Sequence, residues 1–392
     1  MTALGRASAS VSTRRRGHRP SGVLGLQTIG TRLDPRNNSL NAIRLVLASM
    51  VIVSHSWAVG NYGLPPRHGG GTPGDWAVYA FFLLSGYLIT GSRLNNSFGT
   101  YLKRRFLRIY PGFLCCLVAT VAVFAPIGYY QQHHSLHGYL TKPNTPLDFL
   151  VGNLTLKMNV YKVAGTPSGP YSWTVSLWTL YYEFCCYVIV GLLACWVAFR
   201  RKPALAVAVF LLATVARLEY LHIAPLAHNK DVYQLVKLVP FFMAGSVLYL
   251  LRDRIPCTLW LAATSLAVFV ALPHLVPNRF MVLGALPLGY LLLYLGAVVR
   301  VPLGRRNDIS YGMYMYGFAV QQLLRFAHLS SHLVYIVLSI LCTIPVAAAS
   351  WFLVERPAIR WGQRRAPSAD NRAVRSEAGA PVEPLQPARA GV

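Results

Sequence analysis

RLVLASMVIVSH, residues 44–55, places a cation and an imidazole at the two ends of a run that is apolar apart from Ser49 and Ser54. Eleven helical steps at ~100° come to ~1100°, about 20° past three full turns, so Arg44 and His55 share one face of a helix. They lie roughly 16 Å apart along its axis. The run extends to residues 42–60, long enough to span a bilayer. A cation near one end of such a span and an imidazole well inside it are costly to keep, which makes a functional site the default reading.

The rest of the chain repeats the pattern. Of its 392 residues 54% are hydrophobic and 12% charged, with a mean hydropathy of +0.42. A soluble domain carries about 25% charged residues, so the composition points to a polytopic membrane protein. Apolar runs predict ten spans, at 42–60, 76–92, 111–128, 178–199, 203–220, 233–251, 257–272, 280–299, 309–326 and 333–354. The expected fold is an all-α polytopic membrane helix bundle of about ten transmembrane helices. The net charge of +25 could suggest nucleic acid, but 28 of the 37 Lys and Arg fall in the tails and alternate connections of one side. That bias predicts both termini cytoplasmic and a lipid bilayer, rather than nucleic acid, as the partner of the charge. Residues 1–40 read as a disordered basic cytoplasmic tail, 41–362 as the membrane domain and 363–392 as a second disordered tail. No apolar core follows the early arginines closely enough for a standard signal peptide.

Several features read blandly. The seven cysteines lie in or beside apolar spans without a CxxC pair, as small packing residues rather than a disulfide framework. His133, His134 and His137 lie in the long connection 129–172 with no acid or Cys beside them, so no metal site is expected. Gly69–Gly71 precedes no Lys and is a flexible loop, not a phosphate cradle.

Four groups carry chemistry. His55 suits proton transfer near neutral pH, against the alternative of a packing histidine bonded to Ser54, Ser56 or a carbonyl. Arg44 either contacts an anion within the bundle or snorkels to headgroups. Lys103, Arg104, Arg105 and Arg108, in a connecting loop that Arg93 opens, form an anion-binding patch or a topology signal. Glu183, in WTVSLWTLYYEFCCY (Trp173–Tyr187), is the acid that falls within an apolar run. It needs an interior partner, His55 or an Arg, and can equally be an inter-helix strut.

Taken together, these segments resemble the integral-membrane acyltransferase 3 family over about residues 42–361. Arg44-x10-His55 resembles the family's Arg-x10-His in its first span. FFLLSGYLIT (Phe81–Thr90) is similar to its FF-x-LSG-[FY]-LI signature, and RRFLRIYP (Arg104–Pro111) to its basic R-x-x-RIYP segment. Trp178-Thr179-Leu180 with Glu183 resembles its Trp-to-Glu run. DISYGMYMYGFAVQQ and WFLVERPAIRW resemble its late SY-[GS]-x-Y and ERP-x-x-[RK] segments. Many members have a His after the late Tyr-x-[WY]; here Gly317 follows Tyr316, so a second catalytic His is not carried over. No esterase-like domain follows the last span, which implies a stand-alone membrane acyltransferase of the cytoplasmic (inner) membrane.

The resemblance implies an acyl-CoA donor, with acetyl-CoA expected, as co-substrate and no bound cofactor. The acceptor is a hydroxyl of an envelope carbohydrate, or of a secondary metabolite such as a macrolide. His55 is then the general base or an acyl relay, with Glu183 and Arg44 as its catalytic companions. Lys103, Arg104, Arg105, Arg108 and Arg93 would bind the donor, and Ser85, Trp178 and Tyr182 the substrate. The rival class is a transporter or flippase of a glycan or metabolite, which the absence of a visible inverted repeat disfavours.

Overall fold

A computed structural model describes residues 27–34, 38–168, 172–220, 229–276, 279–302 and 307–364. The rest of both expected tails lies outside these residues. Among the described residues the chain is helical, with no strand. The principal helices are α1 Leu40–Val59, α2 Pro73–Leu94, α3 Phe98–Ala119, α4 Trp178–Leu193, α5 Pro203–Glu219, α6 Lys230–Leu250, α7 Leu259–Leu275, α8 Ala285–Val298, α9 Ser310–Leu324 and α10 His332–Ser350. Seven helical stretches are long and apolar enough to cross a membrane: Leu40–Val59, Pro73–Leu94, Phe98–His133, Val175–Leu193, Lys230–Leu250, Phe280–Val298 and His332–Gln363. The other three expected spans fall on shorter helices, α5 and α7 with 17 residues each and α9 with 15.

Two helices run longer than the sequence suggests. α3 begins at Phe98, so Lys103–Arg108 lies on a helix and not in a loop. Pro111 sits inside it. A proline is tolerated there at the loss of one backbone bond, yet in sequence it reads as a start. A π-helical turn, Thr120–Phe124, then carries α3 on into Ala125–His133. A second π-helical turn, Trp351–Glu355, joins α10 to Arg356–Arg364. At the other end of the chain, Ile29–Arg32 forms a short helical turn that buries Ile29 and whose backbone bonds to Arg252 and Ile255. The last part of the segment assigned to a tail therefore packs on the bundle.

The most extensive contact joins α2 to α6. Glycines make it possible: a Cβ on Gly86 would lie 1.9 Å from the Phe242 carbonyl oxygen, and one on Gly245 2.0 Å from that of Leu83. Small residues at a crossing let two backbones meet closely, the usual device of helix pairs in lipid. α9 is buried along its whole face from Ser310 to Gln322, packed between α1 and α10. A helix buried all round lies at the centre of its bundle. The outward surfaces of α5, α7 and α10 leave Leu212, Trp260 and Leu341 exposed, an apolar skin suited to hydrocarbon.

Candidate active site

α1, α2, α4 and α9 enclose two cavities in series. The first, of about 90 Å3, is lined by Arg44, Ser85, Arg105, Arg108, Glu183 and Tyr311 among others. The second, of about 280 Å3, is lined by His55, Asp75, Tyr79, Trp178 and Lys237. Val78 and Tyr314 border both. A third cleft, of about 270 Å3, is lined by Arg104, Arg105 and Arg108 together with Ile359, Gly362 and Gln363. Arg105 and Arg108 thus border the third cleft and the first cavity alike. Through these shared residues the cavities adjoin in a row, the path from a basic cleft past Glu183 to His55.

α2 supplies one wall of the whole path. Asp75, Val78, Phe82, Ser85 and Ile89 all line it. They recur at intervals of three and four, which places them on one helical stripe about 21 Å long. The helix starts at Thr72, whose backbone N and hydroxyl donate to Asp75 Oδ2 at 3.0 and 2.8 Å. This capping box fixes the carboxylate at the first turn. Asp75 Oδ1 faces Lys237 Nζ at 3.4 Å, and Lys237 stands over the Tyr79 ring at 5.5 Å. Tyr79 in turn stacks on Phe241, with ring centroids 4.2 Å apart. His55 stands edge-on to Phe318 of α9, centroids 5.1 Å apart.

At the opposite end Arg44 Nη1 pairs with Asp308 Oδ2 at 2.5 Å, and Arg108 Nη2 reaches the same oxygen at 2.6 Å. Arg108 Nη1 also meets Glu355 Oε2 at 3.3 Å, and Ser350 Oγ donates to Glu355 Oε1 at 3.1 Å. Burial alone would raise the Asp308 carboxyl, but the two guanidiniums and the Ser310 hydrogen bonds outweigh it and hold it at about 2. Arg44 therefore does not stand free: it is half of a partly buried strut between α1 and the residues just before α9.

The sequence-predicted residues divide. His55 and Trp178 meet in the second cavity; Arg44, Ser85, Arg105, Arg108 and Glu183 meet in the first. Glu183 Oε1 accepts from Ser85 Oγ at 2.8 Å and from the Tyr187 hydroxyl at 2.6 Å. Its partners are thus hydroxyls, not His55 or an Arg; the acid in the His55 cavity is Asp75. Arg93 is buried against α4, bonding the Gly191 carbonyl at 3.0 Å and the Asn96 carbonyl at 2.9 Å. Lys103 lies over the Trp361 ring at 5.4 Å. Neither borders the path. Tyr182 donates to Asp231 at 2.9 Å and so ties α4 to the start of α6, away from both cavities. Arg104 Nη1 bonds Asn96 Oδ1 at 2.7 Å, while its Nε and that of Arg105 are buried without a hydrogen-bond partner. Such orphaned charged donors are uncommon and suit an anionic ligand.

Sequence reasoning does not single out Asp75, Lys237, Asp308, Glu355 or Tyr314. Asp75, Asp308 and Glu355 sit where charges normally meet solvent, at span ends. A local signal exists for Asp75 alone, the Thr-x-x-Asp cap, and it reports a helix start and not a site.

A profile of the acyltransferase 3 family, described as an acyltransferase domain, matches residues 37–355. The chain is 27% identical over 333 residues to the "O-acetyl transferase" of Shigella phage Sf6, covering 82% of this chain and 96% of that protein. It is 27% identical over 359 residues to "Nodulation protein 10" of Rhizobium leguminosarum bv. viciae, covering 82% of this chain and 93% of the relative. No solved structure matches significantly. With a profile match over most of the chain and a helical bundle that has several spans' worth of apolar helices, the chain belongs to the acyltransferase 3 family and is a multi-pass membrane O-acyltransferase.

Proposed function

We propose that this protein transfers an acyl group, acetyl in the first instance, from acyl-CoA to a hydroxyl of an envelope carbohydrate or a secondary metabolite. One observation carries the reading: a row of adjoining cavities with arginines at one end and an imidazole at the other. In this reading the chain crosses the inner membrane ten times with both termini cytoplasmic. The arginine end then faces the cytoplasm, where acyl-CoA is found. Arg104 and Arg105 hold donor phosphates; the Nε of each is buried without a protein hydrogen-bond partner. Arg44 and Arg108, held in place by Asp308, present guanidinium groups to the first cavity without needing to move.

The acceptor occupies the His55 cavity, where Trp178 offers a flat apolar wall and Asp75 and Lys237 offer polar edges. His55 takes the proton of the acceptor hydroxyl as its oxygen attacks the thioester carbonyl. The C–S bond then breaks, and the thiolate takes the proton from the imidazolium. Asp75 stabilises that imidazolium by charge. Glu183 orients Ser85 and Tyr187 around the path. In an alternative sequence His55 itself carries the acyl group between donor and acceptor.

The name of the phage relative favours acetyl and an oxygen acceptor. The test is CoA release from acetyl-CoA by the purified protein, with extracts of its own cells as acceptor source. His55→Ala should fold and bind donor but release no CoA. Acceptor movement across the membrane without thiol release would support a transporter instead.

A further inference from the structure

The two cavities that carry the proposed reaction share Val78 and Tyr314 in their linings, one from α2 and one from α9. Donor cations lie on one side of this septum and His55 on the other. A donor carried from those cations to His55 through these cavities therefore passes Val78 and Tyr314, acyl end first.

Both sides of the septum are rigid. The Tyr314 hydroxyl donates to the Ser176 carbonyl at 2.8 Å and shares a hydrogen bond with Thr179 Oγ1 at 2.6 Å. Ser176 Oγ donates back to the Tyr314 carbonyl at 3.2 Å. The Phe81 ring stands edge-on behind it, centroids 5.8 Å apart. A ring anchored at its backbone and at its hydroxyl cannot swing as a gate. Opposite it, Val78 is β-branched, with one strongly preferred rotamer in a helix. Its backbone lies about one and a half turns from Leu83 and just over two from Gly86, at the close α2–α6 crossing where α2 cannot shift away.

A passage bordered by fixed side chains selects by width. The linear mercaptoethylamine end of CoA and a linear acyl chain have similar cross-sections, so whatever admits one admits the other. Branching beside the carbonyl widens the leading end. We propose that the Val78–Tyr314 septum is the acyl-selectivity filter of this enzyme, passing linear acyl groups and excluding those branched beside the carbonyl. This rests on the donor and His55 assignments above.

The test uses two isomers of equal carbon number, n-butyryl-CoA and isobutyryl-CoA, with acetyl-CoA as reference. Each is radiolabelled in the acyl group and supplied to inverted membrane vesicles from the protein's own cells, which carry the acceptor. The unsubstituted protein should incorporate the linear isomer in clear preference. Val78→Ala should raise the isobutyryl-to-butyryl ratio about tenfold or more, the usual worth of one methyl group in a tight apolar site. Tyr314→Phe, which frees the ring from both side-chain anchors, should shift the ratio in the same direction. Val78→Phe should still bind acetyl-CoA yet transfer none, which separates a blocked path from a misfolded protein.

Equal use of the two isomers by the unsubstituted protein would overturn the filter. So would an unchanged ratio in Val78→Ala, or acetyl transfer by Val78→Phe at the unsubstituted rate. If the unsubstituted protein consumes no acyl-CoA at all, the donor reading itself fails, a result distinct from loss of selectivity.

Discussion

Asp308→Asn removes the charge on which Arg44 and Arg108 both converge, and the structure sets the size of the effect. Both ion pairs are short, 2.5 and 2.6 Å, and the Asp308 side chain is 12% exposed. Burial disfavours its charge, yet the two arginines hold the carboxyl at about 2, below the ordinary value of 3.8. A shift of that size corresponds to on the order of 2 kcal/mol of native-state stabilisation. The isosteric amide keeps the volume but leaves two half-buried guanidiniums facing a neutral group; breaking a fully buried pair costs about 3–5 kcal/mol. Solvent reaches Arg44 and Arg108 in part, so the loss at neutral pH should fall near the lower figures.

The assay is equilibrium or thermal unfolding in detergent of the protein and the variant from pH 7 to pH 2. Because the folded-state value lies below the unfolded one, the stabilisation is present above pH ~3.8 and is lost as pH falls toward about 2. The gap between protein and variant should therefore narrow over that window by on the order of 2 kcal/mol. A variant as stable as the parent at pH 7, or a gap that does not change with pH, would refute the argument.

Other outcomes follow from the same geometry. Arg105→Ala should raise the apparent KM for acetyl-CoA about tenfold with kcat little changed, since a hydrogen bond to a charged group is worth about 1.5–3 kcal/mol; an unchanged KM would remove Arg105 from the donor site. Asp75→Asn should lower kcat about tenfold or more and shift the pH–rate profile, because His55 loses its nearby negative charge; an unaltered profile would make Asp75 a helix cap only. Tyr182→Phe should cost about 1 kcal/mol of stability through the lost bond to Asp231 and leave acceptor KM unaltered. Gly245→Leu should prevent stable folding, as its Cβ would lie 2.0 Å from a backbone oxygen of α2; recovery of normal yield and melting temperature would contradict the crossing described above.

The sequence reveals much of this architecture because membrane spans are written locally, as apolar runs with flanking charge. The shared face of Arg44 and His55 needs only helix geometry. What stays hidden is long-range pairing. Arg44 meets Asp308 across 264 positions of sequence, and no local pattern joins them. Asp75 sits at a helix start, where charge is ordinary, and Lys237 about two turns into α6; the two acquire meaning only when α2 and α6 close on each other. Glu183 is conspicuous as a carboxylate in an apolar run, but the hydroxyls that satisfy it, Ser85 and Tyr187, are not. Pro111 misleads because proline usually starts a helix and here lies within one. The basic residues before it thereby become a helical face, which is why Arg105 and Arg108, nearly a turn apart, can border two cavities at once.

α2 carries Asp75, Val78, Ser85 and Ile89 on one stripe, so it behaves as a camshaft whose lobes must stay in phase. Insertion of a single residue between Val78 and Ser85 would turn one half about 100° against the other and lengthen it by about 1.5 Å. The carboxylate and the septum would then face a neighbouring helix while the Glu183 partner still faced the path. Point substitutions along this stripe alter one station at a time. A change in its length alters the timing of all of them.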